Sequence, residues 1–402
     1  MLEELVFVWR IFVGILAPMT SLPSVDRHQL ITLARDVIRF QTDRDNEGAL
    51  AQYLTDRFRS QGILAHDEDV VAGRPNVIVR IPGKDSSQLP LVINAHMDGA
   101  YHLDGWTRDP LEGWIDGDRL FGGAASDMKG GLAAMVAAVE TAAKGKTLPR
   151  DLILHAVMHH DTVGLGTKYV LASEGPNEGF GICGEPTNMG IHYAHGGAVK
   201  FKISVTGKAS HVSRFEDGID ALKAAVSLYS DIPKMVLTHQ PHADLPDLPI
   251  VLVGVLNGGF AAGCIAPEAT LLGDIRTLPD MNRHTVLADL KKVVDAVAVD
   301  GCTYKIKITA AQKAFEGKKE SPLMDALSRA YKDVKKSNPT VTTKLPVQAF
   351  VTDAADMQAI GIESLVFGPG DWKYAPDESI SIQDMRDAAQ IYLNTAYELP
   401  LR

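Results

Sequence analysis

Four short clusters of acidic and histidine residues are the parts of this sequence whose side chains could perform chemistry. Each follows an apolar segment, and they are His96-Met97-Asp98, Asp127-Met128-Lys129, His159-His160-Asp161-Thr162 and Glu185-Pro186-Thr187. Imidazoles and carboxylates suit zinc and similar divalent ions, which draw their ligands from distant parts of a chain. Taken singly, each cluster also has an ordinary explanation, either as a turn after a strand or as a helix cap. Together they raise the hypothesis of a metal site.

Apolar patterning predicts the elements that must position these clusters. Spaced apolar residues predict helices over 26–41, 50–58 and 130–143, and apolar runs predict buried strands over 76–81, 89–95 and 152–158. Two of these strands lead directly into His96 and into the pair His159-His160. Strands that alternate with helices indicate a layered α/β domain with a mostly parallel sheet, where chemistry collects at the strand ends.

The pattern changes at about residue 194. Alternating or β-rich segments at 198–206, 250–256, 269–276 and 303–309 are interspersed with helical runs at 217–232 and 283–298. This predicts a compact α+β module inserted into the chain. The α/β pattern then resumes, with helices near 321–334 and 382–397 and a short strand at 364–367. We predict an N-terminal extension (1–18), a catalytic domain (19–193 and 310–402) and an inserted domain (194–309).

Composition narrows the functional class. The 402 residues carry 40 basic and 50 acidic side chains, a formal net charge of −10. This balance argues against nucleic-acid binding, which needs a basic face. The three cysteines are widely spaced and form neither a disulfide framework nor a CxxC site, which fits a reducing, cytoplasmic setting. The apolar segment Leu5–Pro18 is too short to cross a bilayer and lacks the basic flank of a signal peptide, so we expect no membrane partner.

Nine segments, in this order, resemble the M20 metallopeptidase family, which includes acetylornithine deacetylase, succinyl-diaminopimelate desuccinylase and related carboxypeptidases and aminoacylases. They are NAHMDGA (94–100), SDMKGGLAAM (126–135), DTVGLGTKYV (161–170), GEPTNMGI (184–191), TGKASHVS (206–213), GG with a later proline (258–259, 267), DIRTLP (274–279), TDA (352–354) and FGPGDWKYAPDE (367–378). The resemblance covers about residues 26–400. It implies a catalytic domain that binds two zinc ions about a bridging carboxylate, and an inserted lid domain that also forms a homodimer.

The resemblance assigns site residues one at a time. His96 matches the histidine of the family's HxD motif, and Asp98 matches the carboxylate that orients its ring. Asp127 matches the bridging aspartate, and Glu185 matches the next carboxylate ligand. These matches imply that one half of the family's metal site is retained.

Other positions depart from the family. Where it has two consecutive glutamates, a general base and then a ligand, this sequence has Asp161 and Thr162, and Tyr374 lies near the place of a C-terminal histidine ligand. A threonine hydroxyl and a phenol with a pKa of about 10 are poor zinc ligands. We therefore predict one metal ion, zinc or another divalent ion, held by three ligands. These ligands are His96, Asp127 and Glu185.

The predicted base is also altered. Asp161 is one methylene shorter than glutamate, so either the geometry has been rebuilt or the hydrolytic step is weak. His159 and His160 offer substitutes as a ligand or a base, since imidazole can do either. The alternative is a histidine pair at a strand end that is held by hydrogen bonds. The sequence leaves both interpretations open.

Several residues indicate how a substrate would bind. His211 matches a lid histidine that in the family reaches across the dimer toward the substrate carbonyl. Arg276 matches a lid arginine suited to a substrate carboxylate. Gly368 and Gly370 would let the backbone approach a ligand closely. Cys264 stands where asparagine is usual, so the identity of the substrate stays open.

The leading hypothesis is a metal-dependent amidohydrolase acting on an N-acyl amino acid or a small peptide. Asp161 would move the proton and His211 would stabilise the oxyanion. Two alternatives remain: an enzyme redirected to non-hydrolytic acyl transfer or condensation, and a catalytically silent binding homologue. The expected partners are a small amino-acid-like molecule and a second copy of the chain.

Overall fold

The computed structural model describes residues 22–43, 46–99, 104–160, 164–344, 349–371 and 376–401. The segment Leu5–Pro18, Asp161, Thr162 and Tyr374, each the subject of a prediction, lie outside the described residues. Within these ranges the predicted α/β fold is confirmed: helices cover a large mixed sheet, and a smaller α+β unit interrupts the chain.

The strands are numbered in chain order. They are β1 Ala65–Val71, β2 Arg74–Ile81, β3 Leu91–His96, β4 Trp114–Asp116, β5 Arg119–Phe121, β6 Leu152–Val157, β7 Gly179–Cys183, β8 Ile191–His192, β9 Ala194–His195, β10 Gly197–Thr206, β11 Ser210–His211, β12 Ile250–Gly258, β13 Cys264–Ile265, β14 Glu268–Thr277, β15 Thr303–Gln312, β16 Phe315–Glu316, β17 Val341–Thr342, β18 Ile362–Val366 and β19 Ser379–Ser381.

The α-helices are numbered in the same way. They are α1 Arg27–Ile38, α2 Gly48–Ser60, α3 Gly130–Lys144, α4 Leu165–Ser173, α5 Ala221–Asp231, α6 Arg283–Val297, α7 Pro322–Lys335, α8 Ala354–Ala359 and α9 Ile382–Glu398. None of the helices in the described ranges combines the length and the apolar character that crossing a membrane requires.

The large sheet has the strand order β1-β2-β6-β3-β7-β18-β8-β17. Its centre is parallel, because β6, β3, β7 and β18 run side by side in one direction. Toward one edge, β1, β2 and β6 pair antiparallel. The parallel centre places the carboxyl ends of four neighbouring strands together, which is where such sheets bind ligands.

Alternate residues of the central strands face two apolar cores. Val92 of β3 packs with Ile153 and Val157 in the core that contains residues of α4 and α8. Leu91 and Ile93 face the other core, to which α1, α3 and α9 contribute. All six residues of β3 are buried, which explains why this strand reads as a continuous apolar run. The sheet therefore lies between two helical layers.

A second sheet has the order β12-β14-β10-β15, and all its pairings are antiparallel. Helices α5 and α6 contact this sheet, and β15 alternates exposed and partly buried residues, as expected of a sheet covered on one face. Strands β9 and β16 pair antiparallel, so the chain enters and leaves this unit through adjacent strands. We use the name lid for the unit predicted at residues 194–309, whose strand β15 continues to Gln312.

Candidate metal centre

The parallel strands bring three of the four polar clusters to one edge of the large sheet. His96 is the last residue of β3, His160 follows β6, and Glu185 follows β7. Since β3 lies between β6 and β7, these residues converge although they are far apart in the sequence. Hydrogen bonds from Met97 N to Val157 O (2.8 Å) and from Gly184 N to Asn94 O (2.9 Å) connect the strand ends.

The side chains of His96, His160 and Glu185 form a buried cluster. Their potential ligand atoms all lie within 4.8 Å of one another. Glu185 Oε1 lies 3.7 Å from His96 Nε2 and 3.5 Å from His160 Nε2. Ligand atoms around a tetrahedral zinc ion with bonds of about 2.0–2.2 Å are roughly 3.3–3.6 Å apart. The two distances to Glu185 therefore come close to the spacing that such an ion requires.

Each imidazole is held by a contact at Nδ1, the ring nitrogen that does not face Glu185. His96 Nδ1 lies 2.8 Å from the main-chain oxygen of Asp98, and His160 Nδ1 lies 3.0 Å from Asp353 Oδ1. Because both partners are acceptors, they assign a proton to Nδ1 and leave Nε2 facing Glu185. This is the arrangement found around metal-binding histidines, whose outer nitrogen usually donates to a carboxylate or a carbonyl.

Asp98 contacts both histidines. Its main-chain oxygen, rather than its carboxylate, makes the short contact with His96, since Asp98 Oδ1 lies 3.6 Å from Nδ1 of that ring. The carboxylate instead accepts a hydrogen bond of 3.1 Å from the main-chain N–H of His160. Asp98 thus connects the ends of β3 and β6, and the orienting role of its carboxylate toward the His96 ring remains a prediction.

The charges in the cluster are strongly coupled. Burial raises the pKa of Glu185, and the two imidazoles beside it act in the opposite direction. Burial alone would lower the pKa of His160, but Asp353 and Glu185 raise it to about 10. Burial likewise opposes ionisation of His96, yet Glu185 and Asp127 hold its pKa well above the usual range. The two rings therefore favour a bound cation at Nε2, either a proton or a metal ion.

The Glu185 carboxylate provides the test of whether these residues fit a metal. It is 1 % exposed, and neither oxygen has a hydrogen-bond partner within the part of the chain that the structure describes. Leaving a buried carboxylate without a partner is costly. Two imidazole nitrogens and a carboxylate form a ligand set that suits zinc. The residues present fit a divalent ion.

Comparison with known proteins identifies the family. The family model described as "Peptidase family M20/M25/M40" matches residues 92–398. The chain belongs to this peptidase family. Membership supports a metal-dependent hydrolase that acts on amide bonds.

Individual relatives agree with this placement in the M20 family. The chain is 27% identical to a probable succinyl-diaminopimelate desuccinylase of Staphylococcus epidermidis over 387 residues, which cover 88% of this chain and 92% of that protein. An M20 metallo-carboxypeptidase from Sulfolobus solfataricus matches at a TM-score of 0.75 and 17% identity, covering 92% and 99% of the two chains. A Bacillus subtilis peptidase described as dinuclear metal binding matches at 0.68 and 17%, covering 93% and 99%. The structural matches show the shared fold.

Asp127, the predicted bridging ligand of this M20 protein, borders the cluster. Its Oδ1 lies 3.2 Å from His96 Nε2, and its side chain is 29% exposed. The main-chain N–H groups of Ser126 and Asp127 donate to Glu378 Oε1 at 2.7 and 3.0 Å. Burial, followed by the charge of Asp127, raises the pKa of Glu378 to about 8. Glu378 therefore anchors the loop that brings Asp127 to the site.

The two glycines predicted to approach a ligand pack against the site itself. A side chain at Gly368 would overlap the main chain of Gly184, and one at Gly370 would crowd Ser126. Gly370 also has a φ of +98°, which disfavours any side chain. Both glycines let the loop after β18 lie directly on the turn that carries Glu185, and their contact with a substrate remains a prediction.

The two lid residues predicted to bind substrate have other partners in this structure. His211 is exposed, and its Nδ1 lies 2.9 Å from Ser213 Oγ within its own loop. The Arg276 side chain is 30% exposed; its Nε lies 3.0 Å from Asp274 Oδ1, and it donates to the main-chain oxygen of Ala349 at 2.7 Å. Their roles toward a substrate remain predictions.

The adjacent histidines at the end of β6 separate into different environments. The main-chain N–H of His159 donates to Glu47 Oε1 at 3.2 Å, and its Nδ1 lies 3.0 Å from the guanidinium of Arg74. His159 has a φ of +53°, so the chain turns sharply between the two rings. Of these two histidines, only His160 enters the cluster. The sequence leaves the roles of both open.

Asp353 is the residue that sequence reasoning missed. It appears in the sequence only as part of the TDA segment, yet its carboxylate contacts His160 across 193 positions of the chain. The available signal was an aspartate inside a family-like segment, without any indication of its partner. Only the tertiary structure supplies that partner.

Proposed function

We propose that this chain is a metal-dependent amidohydrolase that removes the acyl group from an N-acyl amino acid or cleaves a small peptide. The observation that carries the proposal is the buried convergence of His96, His160 and Glu185 at the carboxyl edge of the parallel strands. The substrate class follows from family membership and from a relative described as a desuccinylase, which we extend to N-acyl amino acids in general.

We propose one zinc ion per chain, replaceable by other divalent ions. His96, His160 and Glu185 would hold it, and Asp127 would supply a further carboxylate beside His96. When bound, such an ion polarises a carbonyl group and lowers the pKa of water. A second ion lacks its expected ligands, because the sequence has threonine at 162 and tyrosine at 374.

The remaining side chains would move protons and bind the substrate. The Asp161 carboxylate would accept a proton from the attacking water and return it to the leaving nitrogen. The Arg276 guanidinium would bind a substrate carboxylate through its planar fork. The His211 ring would donate a hydrogen bond to the oxyanion that develops on the acyl group. Since Arg276 and His211 belong to the lid, catalysis would depend on where the lid lies.

Metal content and hydrolysis, measured on the same preparation, test the proposal. Elemental analysis should find one divalent ion per chain, and chelation followed by zinc should abolish and restore amine release from a panel of N-succinyl, N-acetyl and N-formyl amino acids and dipeptides. Indistinguishable chelated and zinc-loaded forms would overturn the function, and two ions per chain would overturn the single-metal assignment. Condensation of amine and acyl donors without hydrolysis would support the acyl-transfer alternative instead.

We also propose a homodimer formed through the lid. Strand β12 is at the edge of the lid sheet, and its Ile250 and Leu252 side chains are 44% and 59% exposed. On α5, Val226 and Tyr229 are also about half exposed. Apolar side chains beside an unpaired strand edge suit a second copy.

Light scattering should give twice the chain mass, and L252K should shift the protein toward monomer. A monomeric wild-type protein would contradict this proposal.

The three cysteines support a cytoplasmic location, which we propose as well. Cys183, Cys264 and Cys302 are all free thiols in the structure. Free thiols persist most readily in a reducing compartment.

A further inference from the structure

We propose that the metal centre of this chain is built around a second imidazole, His160, and that Asp353 is the residue that positions it. The inference rests on the proposed function, because it concerns the same cluster of His96, His160 and Glu185. Its separate claim is that His160 and Asp353 determine the metal affinity, whether or not an amide is hydrolysed.

A buried series of hydrogen bonds fixes Asp353. Its Oδ1 lies 3.0 Å from His160 Nδ1, and its Oδ2 accepts a 2.8 Å hydrogen bond from Thr167 Oγ1. Thr167 Oγ1 in turn accepts a 2.9 Å hydrogen bond from Asn94 Nδ2. All four side chains are buried. Because both carboxylate oxygens are engaged, the carboxylate cannot rotate away from the ring without losing a hydrogen bond.

This series determines which nitrogen of His160 faces the cluster. A carboxylate at Nδ1 holds a ring proton there, so Nε2, which lies 3.5 Å from Glu185, is the nitrogen that would bind a cation. An ionised partner also makes the ring a stronger donor to a cation than a neutral partner does. His96 Nδ1 makes its short contact with a main-chain oxygen at 2.8 Å, and the Asp98 carboxylate lies farther away at 3.6 Å. Of the two rings, His160 is therefore the one whose short contact at Nδ1 is made by a replaceable side chain.

A different interpretation of the same contacts is a purely structural ion pair. In that case His160 would stay protonated on both nitrogens, and Asp353 would only compensate its charge in the interior. Removing Asp353 would then destabilise the fold without a specific effect on metal binding. The two interpretations differ in zinc affinity and in the protonation of the His160 ring.

The test compares D353N with D356N. Asp356 lies three residues away on α8, and its carboxylate is 3.5 Å from Lys168 Nζ, so it provides a matched loss of one negative charge. We expect the zinc dissociation constant, measured by competition with a chromophoric chelator, to rise about 10- to 100-fold in D353N and less than about twofold in D356N. Nitrogen NMR of the zinc-loaded wild type should show the ring proton of His160 on Nδ1. In D353N the proton should no longer be held on that nitrogen.

Two further variants keep the test decisive if D353N folds poorly. T167V removes the hydrogen bond to Asp353 Oδ2 and should weaken zinc binding in the same direction by a smaller factor. D353E should restore part of the affinity lost in D353N. Unchanged zinc affinity in both D353N and T167V, or in H160Q, would overturn the inference. A wild-type protein that needs His160 to bind zinc but hydrolyses no amide would overturn the proposed function alone.

Discussion

Within the described part of the chain, five histidines are almost completely buried, and they fall into two groups with opposite electrostatics. His96 and His160 face carboxylates, and their pKa values are raised. No carboxylate among the described residues acts on the other three rings, and burial lowers the pKa of His155 and His192 to about 4 and that of His195 to about 3. His155 and His160 are only five residues apart, so position along the chain does not explain the difference.

Burial alone gives a neutral histidine, whereas burial beside a carboxylate gives a site for a cation. A metal ion and a proton compete for the same Nε2 atoms in the second case. Counting buried histidines would not locate the metal centre. What distinguishes it is the buried carboxylate of Glu185, which lies between two oriented rings and has no hydrogen-bond partner among the described residues.

The largest effect should come from removing a ring of the first group. H96A should weaken zinc binding by more than about 100-fold, since even residues that only orient a ligand are worth about 10- to 100-fold. Amide hydrolysis should be lost with the ion. H155L, which removes a ring of the second group, should bind zinc as the wild type does. Equal zinc content in the two variants would remove the functional distinction between the groups.

The next effect concerns the charge that separates the groups. In the metal-free protein, E185Q should lower the pKa of both His96 and His160, because Glu185 helps to hold them above the usual range. The shift should exceed about one pH unit, equivalent to about 1.4 kcal/mol. Histidine ring signals followed by NMR across a pH titration would measure it. Unchanged titration in E185Q would mean that Glu185 is not the distinguishing charge.

Acid sensitivity tests the second group. The pKa of His155 is about 4 in the folded protein, below the value of about 6.5 in an unfolded chain, so the unfolded state binds more protons between these values. As pH falls from 6.5 toward 4, each such histidine lowers the free energy of unfolding by up to about 1.4 kcal/mol per pH unit. H155L should show a correspondingly shallower decline in urea unfolding at pH 7, 6 and 5. Parallel curves for H155L and wild type would contradict the assignment.

The smallest effect separates members of the second group from each other. His192 has no hydrogen-bond partner at either ring nitrogen among the described residues, whereas His195 contacts Gly196 O at 2.7 Å and Thr352 Oγ1 at 2.8 Å. At neutral pH we expect H192L to raise the free energy of unfolding by about 1 kcal/mol, and H195L to lower it by at least as much. Urea unfolding of both variants measures the difference, and destabilisation of the same size in both would contradict it.

The central part of the fold could be predicted from the sequence because its strands are buried on both faces. Continuous apolar runs at 89–95 and 152–158 correspond to β3, Leu91–His96, and β6, Leu152–Val157. Strands of this kind also place the residues that follow them at a common edge, as the sequence predicts for His96 and for the pair His159-His160. Glu185 is assigned to the same site only through the family resemblance. The antiparallel pairing of β1, β2 and β6 carries no comparable local signal.

The details of the site depend on contacts that a local pattern does not encode. His159 and His160 are adjacent, but only His160 enters the cluster. His159 is held away from it by its positive φ and by contacts with Arg74 and Glu47, which are distant in sequence. The main-chain contact of Asp98 and the pairing of Asp353 with His160 likewise arise only when β3, β6 and α8 meet. Residue types therefore indicated the chemistry, and only the tertiary structure shows which side chains lie together.

The residues of the cluster are far apart along the chain, and this separation has a thermodynamic consequence. Because His96, His160, Glu185 and Asp353 meet only in the folded protein, a bound ion acts as a ligand of the native state as a whole. A free-ion concentration about 100 times the dissociation constant would stabilise that state by about 2.7 kcal/mol. Occupancy of this one pocket would then report on the integrity of the entire catalytic domain, and chelation would expose the chain to proteolysis far from the pocket.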